Sequence, residues 1–123
     1  MRLVLAICLI GFIGMPAAFA QDFGRACLLN GPIYQLSADT VTWSMTIGEG
    51  HSCVRGVRSA YATLDAINLL LQPKSGQVAL EGPGFIYRSP PNFHGQDSFS
   101  LSVTGKMNNV SGSSTILVLV SVK

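Results

Sequence analysis

The residues able to do chemistry are few. The histidines are His51 and His94, and the thiols are Cys8, Cys27 and Cys53. A zinc or copper site drawn from His51, His94, Met45 and Met107 can be imagined, but none of these residues has metal-ligand spacing. His94, Asp97 and Ser98 contain the residue types of a hydrolytic triad within five positions. A nucleophile needs a base oriented by a third group and usually a strained elbow, and no Gly-x-Ser-x-Gly presents the serine. The six acidic residues are scattered and offer no pair for glycoside cleavage. Arg55, Arg58 and Arg88 suggest a small basic patch, and solvated charges that discourage edge pairing explain them more simply. Asn109-Val110-Ser111 has sequon spacing, and Asn108, Asn109 and Gly112 are sufficient for a loop. The pattern predicts a chain without catalytic residues, metal or cofactor.

Cysteine chemistry depends on compartment, and the N-terminus addresses that. Arg2, the apolar run Leu3 to Ile13 and Ala18-Phe19-Ala20 have the order of a cleaved secretory signal. A lipoprotein reading of Leu5-Ala6-Ile7-Cys8 is poor, because only seven residues precede the cysteine and leave no room for an h-region ahead of it. Cleavage after residue 20 of the 123 leaves 103 residues, with seven basic and six acidic side chains and a net charge of +1. That is one domain. The charge makes no case for nucleic acid or an anionic membrane. No later run reaches the ~18 apolar residues of a membrane span, so no insertion is expected once the signal is gone. Cys8 leaves with the signal. Cys27 and Cys53 remain, and an even pair in an exported chain reads as a disulfide. No Cys-x-x-Cys supports a redox or metal reading.

The elements that would position these residues read as strands. Residues 21–39 look like an irregular N-terminal arm tied down by Cys27, with Ile33, Tyr34 and Leu36 as a possible short edge strand. Residues 40–123 form the domain. Val41, Trp43, Met45 and Ile47 alternate with Thr40, Thr42, Ser44 and Thr46, giving one apolar and one hydroxyl face. Trp43 is the expected largest contributor to the core. Ser52 to Val54 starts another strand, interrupted at Gly56. Leu64 to Leu71 fits helix or strand, and its strand neighbours favour a strand. Gln77 to Glu81, Gly82-Pro83-Gly84 and Phe85 to Arg88 make a hairpin. Ser98 to Thr104 alternates, Gly105 to Gly112 reads as a polar loop, and Ser113 to Val122 closes the chain. Leu117 and Leu119 point away from the face formed by Ile116, Val118 and Val120. The expectation is all-β: an immunoglobulin-like antiparallel sandwich of about seven strands with one disulfide.

The second half carries a motif. Gly76, Val78 and Leu80 precede a turn. Phe85 and Tyr87 follow, then Asn92, Phe93, Gly95, Asp97, Ser98 and Phe99, and finally the Ile116 to Val122 strand. This series resembles the cadherin-like and immunoglobulin-like modules found in tandem in bacterial surface proteins. The resemblance implies a corner device. Phe93 would plug the sandwich end, Gly95 would take a conformation other residues disfavour, Asp97 would accept loop amides, and Phe99 would enter the core. Calcium requires clustered oxygen ligands, which the scattered acidic residues do not supply.

These readings converge on a small exported, non-catalytic module, periplasmic or extracellular, that binds a protein or glycan or serves a structural role at the cell envelope. The candidate contact regions are the loops around His51, Pro90 to Gln96 and Gly105 to Gly112. The alternative classes are a small secreted enzyme, a metal-handling protein, or an inhibitor presenting a loop to a protease or lysozyme-like target.

Overall fold

A computed structural model describes residues 27–123; the signal segment, Cys8 and residues 21–26 of the arm lie outside the described residues. Eight strands form two sheets: β1 Cys27–Asn30, β2 Asp39–Ile47, β3 Ser52–Gly56, β4 Ala62–Leu71, β5 Gln77–Glu81, β6 Gly84–Arg88, β7 Gly95–Met107 and β8 Val110–Val122. The larger sheet has the order β1-β2-β8-β7-β4 and the smaller one β3-β6-β5. Among the described residues there is no helix long and apolar enough to cross a membrane.

The pairings are antiparallel with one exception. β2 runs parallel to β8 over its full length, from Asp39 opposite Ser114 to Ile47 opposite Val122. Parallel neighbours cannot be joined by a tight turn, and here all the intervening strands lie between them in sequence. Taken without β1, the order β2-β8-β7-β4 over β3-β6-β5 is compatible with an immunoglobulin-like module whose first strand joins the sheet of the last.

Alternation sets which side chains face inward. Phe99, Leu101 and Val103 on β7 and Ile116, Val118 and Val120 on β8 are essentially fully buried. Across from them β6 contributes Phe85 and Tyr87. Phe85 meets Phe99 edge-on at 5.2 Å between ring centroids, and Tyr87 stacks on Phe99 at 5.7 Å. Both geometries favour aromatic pairs beyond the area they bury. Leu64 to Leu71 is strand, within β4, and its partner β7 continues the ladder through two register shifts.

Three expectations change. The edge strand of the N-terminal segment is Cys27–Asn30, not Ile33 to Leu36. Tyr34 and Leu36 are instead buried in a non-strand segment, because Leu36 and Ala38 adopt positive φ and turn the chain inward. The Tyr34 hydroxyl donates to the Val57 carbonyl at 2.6 Å, which links this segment to the end of β3. Trp43 is only half-buried, packed against the core rather than central to it. Its ring lies on Gly31, and its Nε1 donates to the Pro32 carbonyl at 2.8 Å.

The third change concerns Gly105 to Gly112. It is the tip of a long β7–β8 hairpin, with Met107 paired to Val110 and only Asn108-Asn109 between the strands. Both asparagines have positive φ, 55° and 66°, as a type I′ turn requires. The glycines serve close packing: a Cβ at Gly105 would lie 2.1 Å from the Thr63 carbonyl oxygen, and one at Gly112 would lie 1.8 Å from that of Leu36. Asn109→Ala should therefore cost ~1 kcal/mol, the penalty for holding a non-glycine, non-asparagine residue left-handed. A chemical denaturation midpoint no lower than that of the parent chain would contradict this turn assignment.

Candidate functional site

Strand alternation separates the residues of the apparent triad. Asp97 points inward from β7 and is buried, while Ser98 points outward and is exposed. His94 lies in the preceding loop, where its Nε2 is 3.3 Å from Glu49 Oε2. These three side chains do not form a nucleophile–base–acid relay.

Asp97 is instead the centre of a polar corner. Its Oδ1 accepts the amide of Lys74 at 2.9 Å, and its Oδ2 accepts that of Gly76 at 2.8 Å. Oδ1 also accepts the Ser98 amide at 3.0 Å, and Oδ2 the Tyr87 hydroxyl at 2.8 Å. One carboxylate thereby ties the β4–β5 loop to β6 and β7. Burial alone would raise the Asp97 pKa, but the bonds from Gly76, Tyr87, Ser98 and Lys74 hold it below the ordinary range. Burial, and the carboxylate beside it, push the Tyr87 hydroxyl the other way, well above its ordinary value. Phe93 packs on the end of the core and Gly95, at φ 152°, starts β7. The sequence indicated loop amides as partners of Asp97; it gave no sign of Tyr87, which belongs to another strand.

A second carboxylate closes the segment before β2. Asp39 accepts the amides of Gln35 at 2.9 Å and Ser37 at 3.1 Å and the hydroxyl of Ser114. Partial burial opposes ionisation, yet these hydrogen bonds outweigh it and lower the pKa to about 2. Both carboxylates thus ionise more readily in the folded than in the unfolded chain. Their stabilisation is complete above the unfolded value of ~3.9 and is lost as pH falls through the folded values. Melting temperature should fall below pH ~4; one that stays constant down to pH 2 would show that neither carboxylate is held as described.

The expected contact loops divide between the two ends of the sandwich. The β2–β3 turn and the β6–β7 loop come together. Gly50 N donates to the Pro90 carbonyl, and Ser89 N to that of His51. Ser89 Oγ donates to the Gly48 carbonyl at 2.6 Å and accepts the His51 amide at 3.1 Å. Glu49 accepts the Asn92 amide at 2.7 Å through Oε1, and His51 Nδ1 lies 2.8 Å from the Glu49 carbonyl oxygen. The Asn108-Asn109 turn is at the far end of β7, ~40 Å away by strand rise. The residues of the imagined metal site are likewise apart, with Met45 inside the core and Met107 at the hairpin end. Among the described residues, no three of His, Cys, Asp and Glu come together in a way that could hold a metal ion.

Cys27 and Cys53 form a disulfide, with Cα atoms 5.6 Å apart. It joins the first strand of the larger sheet to an edge strand of the smaller one. Arg55 Nη2 adds a hydrogen bond to the Cys27 carbonyl at 3.1 Å. No protein-family model matches the chain, and neither a curated protein nor a solved structure matches it.

Proposed function

We propose that this chain is an exported, non-catalytic immunoglobulin-like module that acts by binding a protein or glycan at the cell envelope or outside the cell. The observation that carries this reading is the use made of the buried carboxylate: Asp97 engages loop amides and Tyr87 and has a structural role. The cross-sheet disulfide is compatible with an oxidising compartment. The joined β2–β3 and β6–β7 loops expose Gly50, Pro91, Asn92 and His94, and such loops on a sheet scaffold are where binding residues are commonly found.

The test is a pull-down from envelope extract with the disulfide-bonded chain, beside a glycan array. The module reading expects a retained protein or glycan, with retention weakened by His94→Ala together with Pro91→Ala. Both are exposed positions, and folding is checked by circular dichroism. Absence of any retained ligand, or turnover of a substrate, would overturn the reading.

A further inference from the structure

The outer face of the five-stranded sheet is covered by nothing within the described chain, and its composition is unusual. One ladder row reads Thr42, Leu117, Ser100 and Leu71 across four strands. In the next row Leu119 stands between Ser44 and Ser98 and is 44% exposed. Serine and threonine fill most remaining outward positions. From the Thr46–Ser121 row to the Thr104–Ser113 row, β2, β8 and β7 direct no Asp, Glu, Lys, Arg or His outward. Soluble domains average ~25% charged residues, whereas depletion of charge marks the centre of protein interfaces.

We propose that this face is where a second copy of the chain docks, sheet on sheet, about a two-fold axis. Three properties favour a copy over another partner. A two-fold axis places each group near its own counterpart, which a charged face resists and this face allows. Each hydroxyl both donates and accepts, so an array of them is complementary to itself without a separate set of opposite groups. Two sheets of the same twist also stack at a shallow angle with aligned strands. The size agrees: β2, β8 and β7, ~4.8 Å apart with about nine uncharged residues at ~3.3 Å each, span ~14 by ~30 Å, and the shorter stretches of β1 and β4 beside them bring the face to ~600 Å². That approaches the ~800 Å² per partner of a standard interface. The inference rests on the fold and not on the loop-binding reading.

The test is sedimentation velocity on the full mature chain from ~1 µM to ~1 mM, a range that brackets weak and moderate self-association. The mass should double as concentration rises. Leu119→Glu places like charges near the two-fold axis and should weaken the dimer at least ~tenfold. A mixture of Leu119→Glu and Leu119→Lys chains should restore it. Val54→Glu, on the outward side of the other sheet, should leave association unchanged, and circular dichroism establishes that each variant is folded. A chain that stays monomeric throughout, or a dimer indifferent to Leu119→Glu, overturns the inference, as does a monomer that binds a glycan or foreign protein on this face. A dimer that retains nothing from envelope extract would keep this inference and defeat the loop-binding reading.

Discussion

Asp97→Ala is expected to lower the melting temperature by ~12–24 °C. The side chain is 8% exposed, and its removal leaves the Lys74 and Gly76 amides and the Tyr87 hydroxyl without their acceptor. Each buried donor left unsatisfied costs about 1–3 kcal/mol. Some recover partners in water, so the total is placed at ~3 kcal/mol, and each kcal/mol shifts the melt of a domain this size by ~4–8 °C. Two companions separate charge from volume. Asp97→Asn keeps the shape but turns an amide group toward donors, and should cost less than Asp97→Ala. Tyr87→Phe keeps the stack on Phe99 and removes one of several bonds to the carboxylate, so ~1 kcal/mol is expected. The acid-side loss of stability should also shrink in Asp97→Ala, since one of the two depressed carboxylates is gone. If Asp97→Ala melts within a few degrees of the parent chain, the corner is not what joins the β4–β5 loop to the sheets.

Removing the disulfide by Cys27→Ser with Cys53→Ser should cost ~3.5 kcal/mol in the chain-entropy model for a loop of about 27 residues. The bond's position localises a second effect. β1 has four residues and, among the described residues, forms its ladder with β2 alone; the covalent link to β3 and the Arg55 contact add to the packing of Leu29 on the core. Amide exchange should therefore accelerate in β1 well below the global unfolding temperature, while β7 and β8 remain protected. The paired measurement is a thermal melt of the oxidised parent and the double variant, with exchange followed residue by residue. Equal melts, or uniform acceleration throughout the chain, would show that the bond does not anchor this edge.

The alternation of Ser98 to Thr104 and Ile116 to Val122 identified the two central strands, because a half-buried strand writes its burial at period two. Gly82 and Pro83 marked their hairpin because few residues suit such a turn. Asn108-Asn109 is as good a turn signal, but Gly105 and Gly112 obscured it. Glycine looks the same in a flexible loop and at a crowded strand crossing, and only the carbonyls of Thr63 and Leu36 distinguish the two. For Trp43, size and inward parity do not say whether the opposite sheet reaches that far. Here the smaller sheet has three strands against five, and the Gly31-Pro32 segment packs against the ring instead.

For the corner, the sequence supplied Phe93, Gly95, Asp97 and Phe99 but not Tyr87. A carboxylate near a turn suggests local amides, whereas a hydroxyl ten residues away becomes its partner only when β6 crosses the end of β7. Sequence alone determined the all-β class, the cysteine pair and the division of strands into apolar and hydroxyl faces. These follow from residue type and local spacing. Tertiary structure decided the parallel union of β2 with β8, the burial of Tyr34 and Leu36, and the gathering of the hydroxyl faces into one uncharged surface. Each depends on which distant segments become neighbours, and no local period encodes that.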